Sequence, residues 1–135
     1  MTNVQQASTT IDDLGVAMFT VADQDAARDF YVGVLGFEVR ADVRFGEPGN
    51  EGRWLEVAPP GSTARLALNP PMPSSTPGGG GIGVETRDVE TEHARLVALD
   101  GVDVDAQVMQ APGTPRMFML RDPDQNVVVV VETEA

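Results

Sequence analysis

The sequence predicts an α+β fold of two βαβββ modules, whose curved mixed sheets enclose a cup. Three observations predict it. Phe19 to Val39 holds a strand, a capped helix, a glycine stop and a second strand in one run. The same order of signals returns 65 residues later, carrying Asp23 onto Asp88 and Gly36 onto Gly101, which marks an internal repeat. Between the two copies lies Asn69 to Gly80, NPPMPSSTPGGG, a proline- and glycine-rich linker.

Module one spans about residues 14–69, the linker about 70–79 and module two about 80–132 of a single domain covering 1–135. Leu14 to Val21 reads as the first strand. Asp23 can accept from the free N–H groups of a helix that runs to Leu35, and Asp25 adds negative charge at its positive end. Ala27, Phe30, Tyr31, Val34 and Leu35 share one helical face, and Gly36 ends the helix because glycine enters the left-handed region without steric cost. Phe37 to Arg44 alternates as a half-buried strand, and Gly46 to Asn50 is turn chemistry. Arg53 to Ala58 and Thr63 to Asn69 read as a hairpin around Pro59-Pro60-Gly61. Pairing Val57 with Ala64 puts Leu55, Val57, Leu66 and Leu68 toward the helix and Trp54, Glu56, Arg65 and Ala67 on the other face. In module two, Gly81 to Thr86 is a strand, Asp88 caps a helix to about Leu99, and Gly101 stops it. Val102 to Val108, Arg116 to Leu120 and Asn126 to Val131 follow as strands.

A chain of 135 residues with 41% hydrophobic content suits one core. It has no cysteine, which excludes disulfides, thiolate metal sites and cysteine nucleophiles. A formal charge of −12, with every basic residue an arginine, opposes contact with phosphate backbones and anionic lipids, so neither nucleic acid nor membrane is expected as a partner. The first dozen residues lack an apolar core, and no apolar run reaches the ~20 residues of a bilayer span, so a cytoplasmic location is expected.

With the elements placed, VADQDAARDFYVGVLGFEV and the late LRDPDQNVVVVVE make the chain resemble the vicinal oxygen chelate superfamily, which includes glyoxalase I, extradiol dioxygenases, fosfomycin-modifying enzymes and bleomycin resistance proteins. The second segment resembles that superfamily's DP-D-G-N turn and the strand after it, and the resemblance covers about residues 14–132. Metal-dependent members hold a divalent ion with four His or Glu side chains, from the first and fourth strands of each half. Carried over, these positions fall on Val16, on Arg65 or Ala67, on Ile82 or Gly81, and on Val129. None is an imidazole or carboxylate donor, so no metal and no other cofactor is expected. The only histidine, His93, lies on the second helix and reads as a boundary residue. Glu132 has the opposite parity to Val129 and should face away.

What remains is an apolar cup. Val16, Met18 and Thr20 would floor it from the first strand, with Val127, Val129 and Val131 from the last. Trp54 could stack on a planar ligand, Glu56 accept from a cation and Arg65 bind an anion; alternatively Glu56 and Arg65 satisfy each other. Met117, Phe118 and Met119 add soft surface, with Phe118 taken as a ligand contact, and Met72 could overhang from the linker. The reading is a metal-independent small-molecule-binding protein, sequestering a cationic or aromatic ligand as in the bleomycin-resistance branch, where the resemblance implies a homodimer with shared sites. Two alternatives stand beside it. One is a lyase, isomerase or transferase with an atypical or absent metal and Glu56 as its acid or base. The other is an interaction subunit with a packed cup, in which Gly78 to Gly83 is a flexible joint or a close backbone approach.

Overall fold

The computed structural model describes residues 3–134. The order is β1 Val16–Thr20, α1 Gln24–Gly33, β2 Glu38–Glu47, β3 Asn50–Ala58, β4 Arg65–Asn69, β5 Gly81–Thr86, α2 Val89–Val97, β6 Asp103–Val104, β7 Met117–Arg121 and β8 Val127–Glu132. This is βαβββ twice. Each half forms one four-stranded mixed sheet, β1-β4-β3-β2 and β5-β8-β7-β6, with its first strand parallel to its fourth and the other pairs antiparallel.

The helices begin where the aspartates predict. Asp23 accepts from the Ala26 N–H at 3.0 Å and Asp88 from the Thr91 N–H at 3.1 Å. Tyr31 and Leu96, 65 residues apart, are both fully buried at matching points of the two helices. Phe19, Leu55, Val57, Leu66 and Leu68 of module one share a single core with Phe118, Leu120, Val128 and Val130 of module two. The helix-bearing faces of both sheets therefore meet in one interior.

Four details differ from the sequence reading. The β3–β4 register pairs Val57 with Leu66 and Glu56 with Ala67, two residues from the expected pairing. The loop from Pro59 to Ala64 is longer than a tight turn, and Arg40 holds it by donating to the Pro59 and Ser62 carbonyls, each at 2.8 Å. An even shift preserves parity, so the sorting of residues between faces is as expected. Strands β2 and β3 run further than Arg44 and Arg53, pairing out to Glu47 and Asn50 around Pro48-Gly49. They also carry a bulge between Val39 and Ala41, which reverses the alternation along β2. The sixth strand, expected to reach Val108, stops at Val104. The Asp105 N–H still donates to the Met119 carbonyl at 2.9 Å, but the Asp105 carboxylate takes the Met119 N–H at 3.2 Å and its carbonyl accepts from His93 Nε2 at 2.8 Å, so the next rung is only half formed.

The modules are joined by a buried polar clasp. The Asp122 carboxylate accepts from the Asp124 and Asn126 N–H groups at 2.9 and 3.0 Å, from the Tyr31 hydroxyl at 2.9 Å and from Asn126 Nδ2 at 3.1 Å. Asn126 in turn accepts from the Gly80 N–H at 3.0 Å and donates to the Thr20 carbonyl at 3.3 Å. Burial, reinforced by the adjacent Asp122 charge, pushes the Tyr31 hydroxyl well above its ordinary range, so it remains a donor. The clasp also explains the glycine run. A Cβ at Gly80 would lie 2.6 Å from the Phe19 ring, and one at Gly78 only 2.4 Å from the Asp124 carbonyl oxygen. Close backbone approach, rather than a loose joint, is what those glycines permit.

A second polar group, in which Arg53 is buried and both its carboxylate partners lie at the surface, ties α1 to its sheet. Arg53 makes two bonds to Asp42, at 2.8 and 2.9 Å, and one to Asp25 at 2.7 Å. The Arg53 hydrogen bonds, with its positive charge, hold both carboxyls below their ordinary value of 3.8.

These contacts give three expected outcomes. Tyr31→Phe should lower unfolding free energy by about 1–2 kcal/mol, since Asp122 loses a buried donor. Gln125→Gly should raise it by about 1 kcal/mol, because Gln125 sits in the clasp's turn at φ 69°, where side chains are strained. Urea unfolding of both variants checks the signs. The Asp25 and Asp42 pairs stabilise fully above pH 3.8 and are lost as pH falls through their lower folded-state values. Unfolding curves between about pH 5 and about pH 2 should therefore fall more steeply for the native chain than for Arg53→Met.

Candidate functional site: the open face of the sheets

The faces turned away from the shared core carry the candidate site. On the module-one sheet, Val16, Met18 and Thr20 of β1 lie beside Arg65, Ala67 and Asn69 of β4. Ala67 stands opposite Glu56 of β3, and Trp54 opposite Val43 of β2. This apolar floor is open: Met18 is 58% exposed and Phe45 57%. On the module-two sheet the corresponding face presents Gly81, Gly83, Val127, Val129, Val131, Met117 and Met119.

Trp54, Glu56 and Arg65 meet as one unit. Trp54 Nε1 donates to Glu56 Oε2 at 2.9 Å, and Arg65 Nε lies 2.9 Å from Glu56 Oε1. Glu56 is buried and Arg65 partly exposed, so the carboxylate is fixed from both sides while the guanidinium edge remains accessible. The pair compensates its own charge. The acidity of the chain as a whole is therefore not concentrated at these residues.

Phe118, expected at the ligand face, is instead fully buried on the other side of β7, with its ring centroid 4.9 Å from that of His93. Strand parity is the reason: Met117 and Met119, paired with Val131 and Val129, occupy the open face. Val43 and Phe45 belong to this face although their sequence pattern did not single them out. The bulge in β2 brings them there, and simple alternation cannot reveal a bulge.

The positions that hold metal in related chains do not fit a divalent ion here. Val16 lies across from Arg65, whose guanidinium is engaged by Glu56, and Val129 lies across from Gly83. Ile82, one of two alternatives for the third position, pairs with Val128 and faces the core, leaving Gly81 and Gly83 on the open face. These residues offer hydrocarbon, a bare backbone and a cation. No cluster of three His, Cys, Asp or Glu side chains capable of holding a metal occurs among the described residues. Both remaining candidate donors have structural partners. His93 donates to the Asp105 carbonyl, and Glu132 accepts from the Val89 N–H at 3.1 Å at the start of α2. No helix among the described residues is long and apolar enough to cross a membrane.

Comparison with known proteins agrees with this architecture. TnmS3, described as an antibiotic binding protein from Streptomyces sp. CB03234, is 36% identical, with 94% of this chain and 100% of that one aligned at a TM-score of 0.79. A member of the glyoxalase/bleomycin resistance protein/dioxygenase superfamily from Sphaerobacter thermophilus DSM 20745 is 31% identical, covering 93% and 100% at a TM-score of 0.80. The uncharacterized protein YetH of Bacillus subtilis (strain 168) is 38% identical over 60 residues, a match spanning 44% of this chain and 48%, about half, of that relative. The family model for the Glyoxalase/Bleomycin resistance protein/Dioxygenase superfamily matches residues 13–130, and the chain belongs to that superfamily.

Proposed function

We propose that this chain is a metal-independent binding protein that sequesters an aromatic small molecule against the open sheet face, and that two copies pair to cover that face. The observation that carries the reading is the Trp54–Glu56–Arg65 unit set in an exposed apolar floor. The indole offers a stacking plane, the free guanidinium edge offers donors, and Met18, Met117 and Met119 offer adaptable contact. Likeness to an antibiotic binding protein across nearly the whole chain supports the same class of ligand. An exposed apolar floor of this kind also favours a second copy as its cover. The enzymatic reading has less support, because each Glu56 oxygen already accepts from a neighbour and the family's metal positions offer no donor set.

Trp54 is the only tryptophan, so its emission reports directly on this face. Titration with a panel of planar aromatic antibiotics should quench it saturably for at least one member. Calorimetry with that compound should show Trp54→Ala weakening binding by about tenfold or more, and Glu56→Gln weakening it less. A native mass spectrum should show a dimer. Absence of saturable binding across the panel, or a stoichiometric divalent metal in that spectrum, would overturn the proposal.

A further inference from the structure

The β3–β4 ladder stops short of Trp54, and its counterpart in the other module shows why. In module one it pairs Val57 with Leu66 and Glu56 with Ala67 and goes no further among the described residues. In module two the β7–β8 ladder runs through five pairs, from Arg121 with Val127 to Met117 with Val131. Matching the two sheets by their registers sets Glu56 on Met119, Ala67 on Val129, Arg53 on Arg116 and Pro70 on Glu132. The next rung of module two is made as well, because the Glu132 N–H donates to the Arg116 carbonyl at 2.9 Å. Pro70 has no N–H to give, so the Arg53 carbonyl loses that partner on β4.

Gln24 supplies the missing donor. Its Nε2 donates to the Arg53 carbonyl at 3.1 Å and to the Leu68 carbonyl at 2.9 Å, one acceptor on each strand. The corresponding first residue of the second helix is Val89, fully buried and without a side-chain donor, and there the ladder needs none. The replacement of a rung by a side-chain amide is therefore confined to the module that carries Trp54, Glu56 and Arg65. Asp25, the next helical residue, holds the Arg53 guanidinium at 2.7 Å, so the first turn of α1 grips Arg53 by backbone and by side chain.

We propose that Gln24 is a positioning residue for Trp54, fixing from the helix the backbone from which the indole projects onto the open face. The Arg53 carbonyl and the Trp54 N–H belong to one planar peptide unit, so a bond that fixes the carbonyl fixes the plane of both. Glu56 holds the tip of the indole at 2.9 Å, and Gln24 holds its root. A carbonyl left without a donor turns toward water, and residue 54 tilts with it. The effect on binding rests on the reading of Trp54 as a ligand contact; the effect on the indole itself does not.

Trp54 gives the single indole N–H signal in a two-dimensional nitrogen–proton NMR spectrum of the full chain, which reads its setting without any ligand. Gln24→Met, close in size and without a donor, should shift that signal and speed its exchange with solvent by about threefold to tenfold, the range to which one net hydrogen bond converts. It should weaken the aromatic compound that quenches Trp54 by a similar factor. Tyr31→Phe, which loosens the chain at the clasp, should leave signal and affinity unchanged, so lost stability alone does not give this result. Adding Pro70→Ala to Gln24→Met returns an N–H opposite Arg53 and should bring the indole signal back toward its native position; this double variant carries the test where Gln24→Met alone does not fold. A Gln24→Met indole with native signal and exchange would overturn the proposal, as would a double variant no closer to native than Gln24→Met. A shifted indole with no saturable binding by any chain would instead overturn the reading of the open face and support the hold of Gln24 on Trp54.

Discussion

A buried carboxylate must be hydrogen-bonded, and the arrangement of the modules depends on how Asp122 meets that requirement. Four donors converge on it, two from its own turn, one from the Asn126 amide and one from Tyr31 on the other module. In a buried, low-dielectric setting each of these bonds is strengthened, and an unmet one would be costly. The turn can therefore sit only where Tyr31 reaches it. That position brings the linker backbone against Phe19 and Asp124, which leaves room for glycine and no other residue at Gly78 and Gly80.

Because the two modules bury their helix-bearing faces together, the opposite faces are released from the task of folding. Residues there can be chosen for contact with something else. Trp54, Glu56 and Arg65 hold one another in place, so their geometry exists before any ligand arrives. Such preorganisation lowers the ordering cost of binding. The hydrocarbon around them would then provide area, and the guanidinium edge orientation.

Much of this was legible in the sequence, and what was not has a common cause. Asp23 and Asp88 mark helix starts through local chemistry, and the leucines and valines of β3 and β4 mark the core through alternation. Both signals lie within a few residues of the structure they specify. The Asp122–Tyr31 bond spans 91 positions and leaves no local trace. The bulge in β2 is set by pairing with β3, so Val43 and Phe45 were missed. Phe118 was misplaced because Met117, Phe118 and Met119 are all apolar, and a run without alternation does not tell which face is which. Asp105 looked like one more strand residue, although its side chain replaces its own carbonyl in the ladder.

The β3–β4 register shows how the chemistry of the open face tolerates change. Pairing shifted by two residues still leaves Trp54, Glu56 and Arg65 together on one side, because a strand repeats its facing every second residue. A shift of one would turn β4 over against β3, driving the Arg65 guanidinium into the hydrocarbon interior and exposing Leu66 and Leu68, while Trp54 and Glu56 stayed outside without their partner. Insertions or deletions between β3 and β4 thus come in two kinds: even steps remodel the rim above a conserved surface, whereas odd steps destroy the surface and the core together. Variation in the length of this loop among related chains should accordingly favour pairs of residues, a parity rule imposed by the pleat alone.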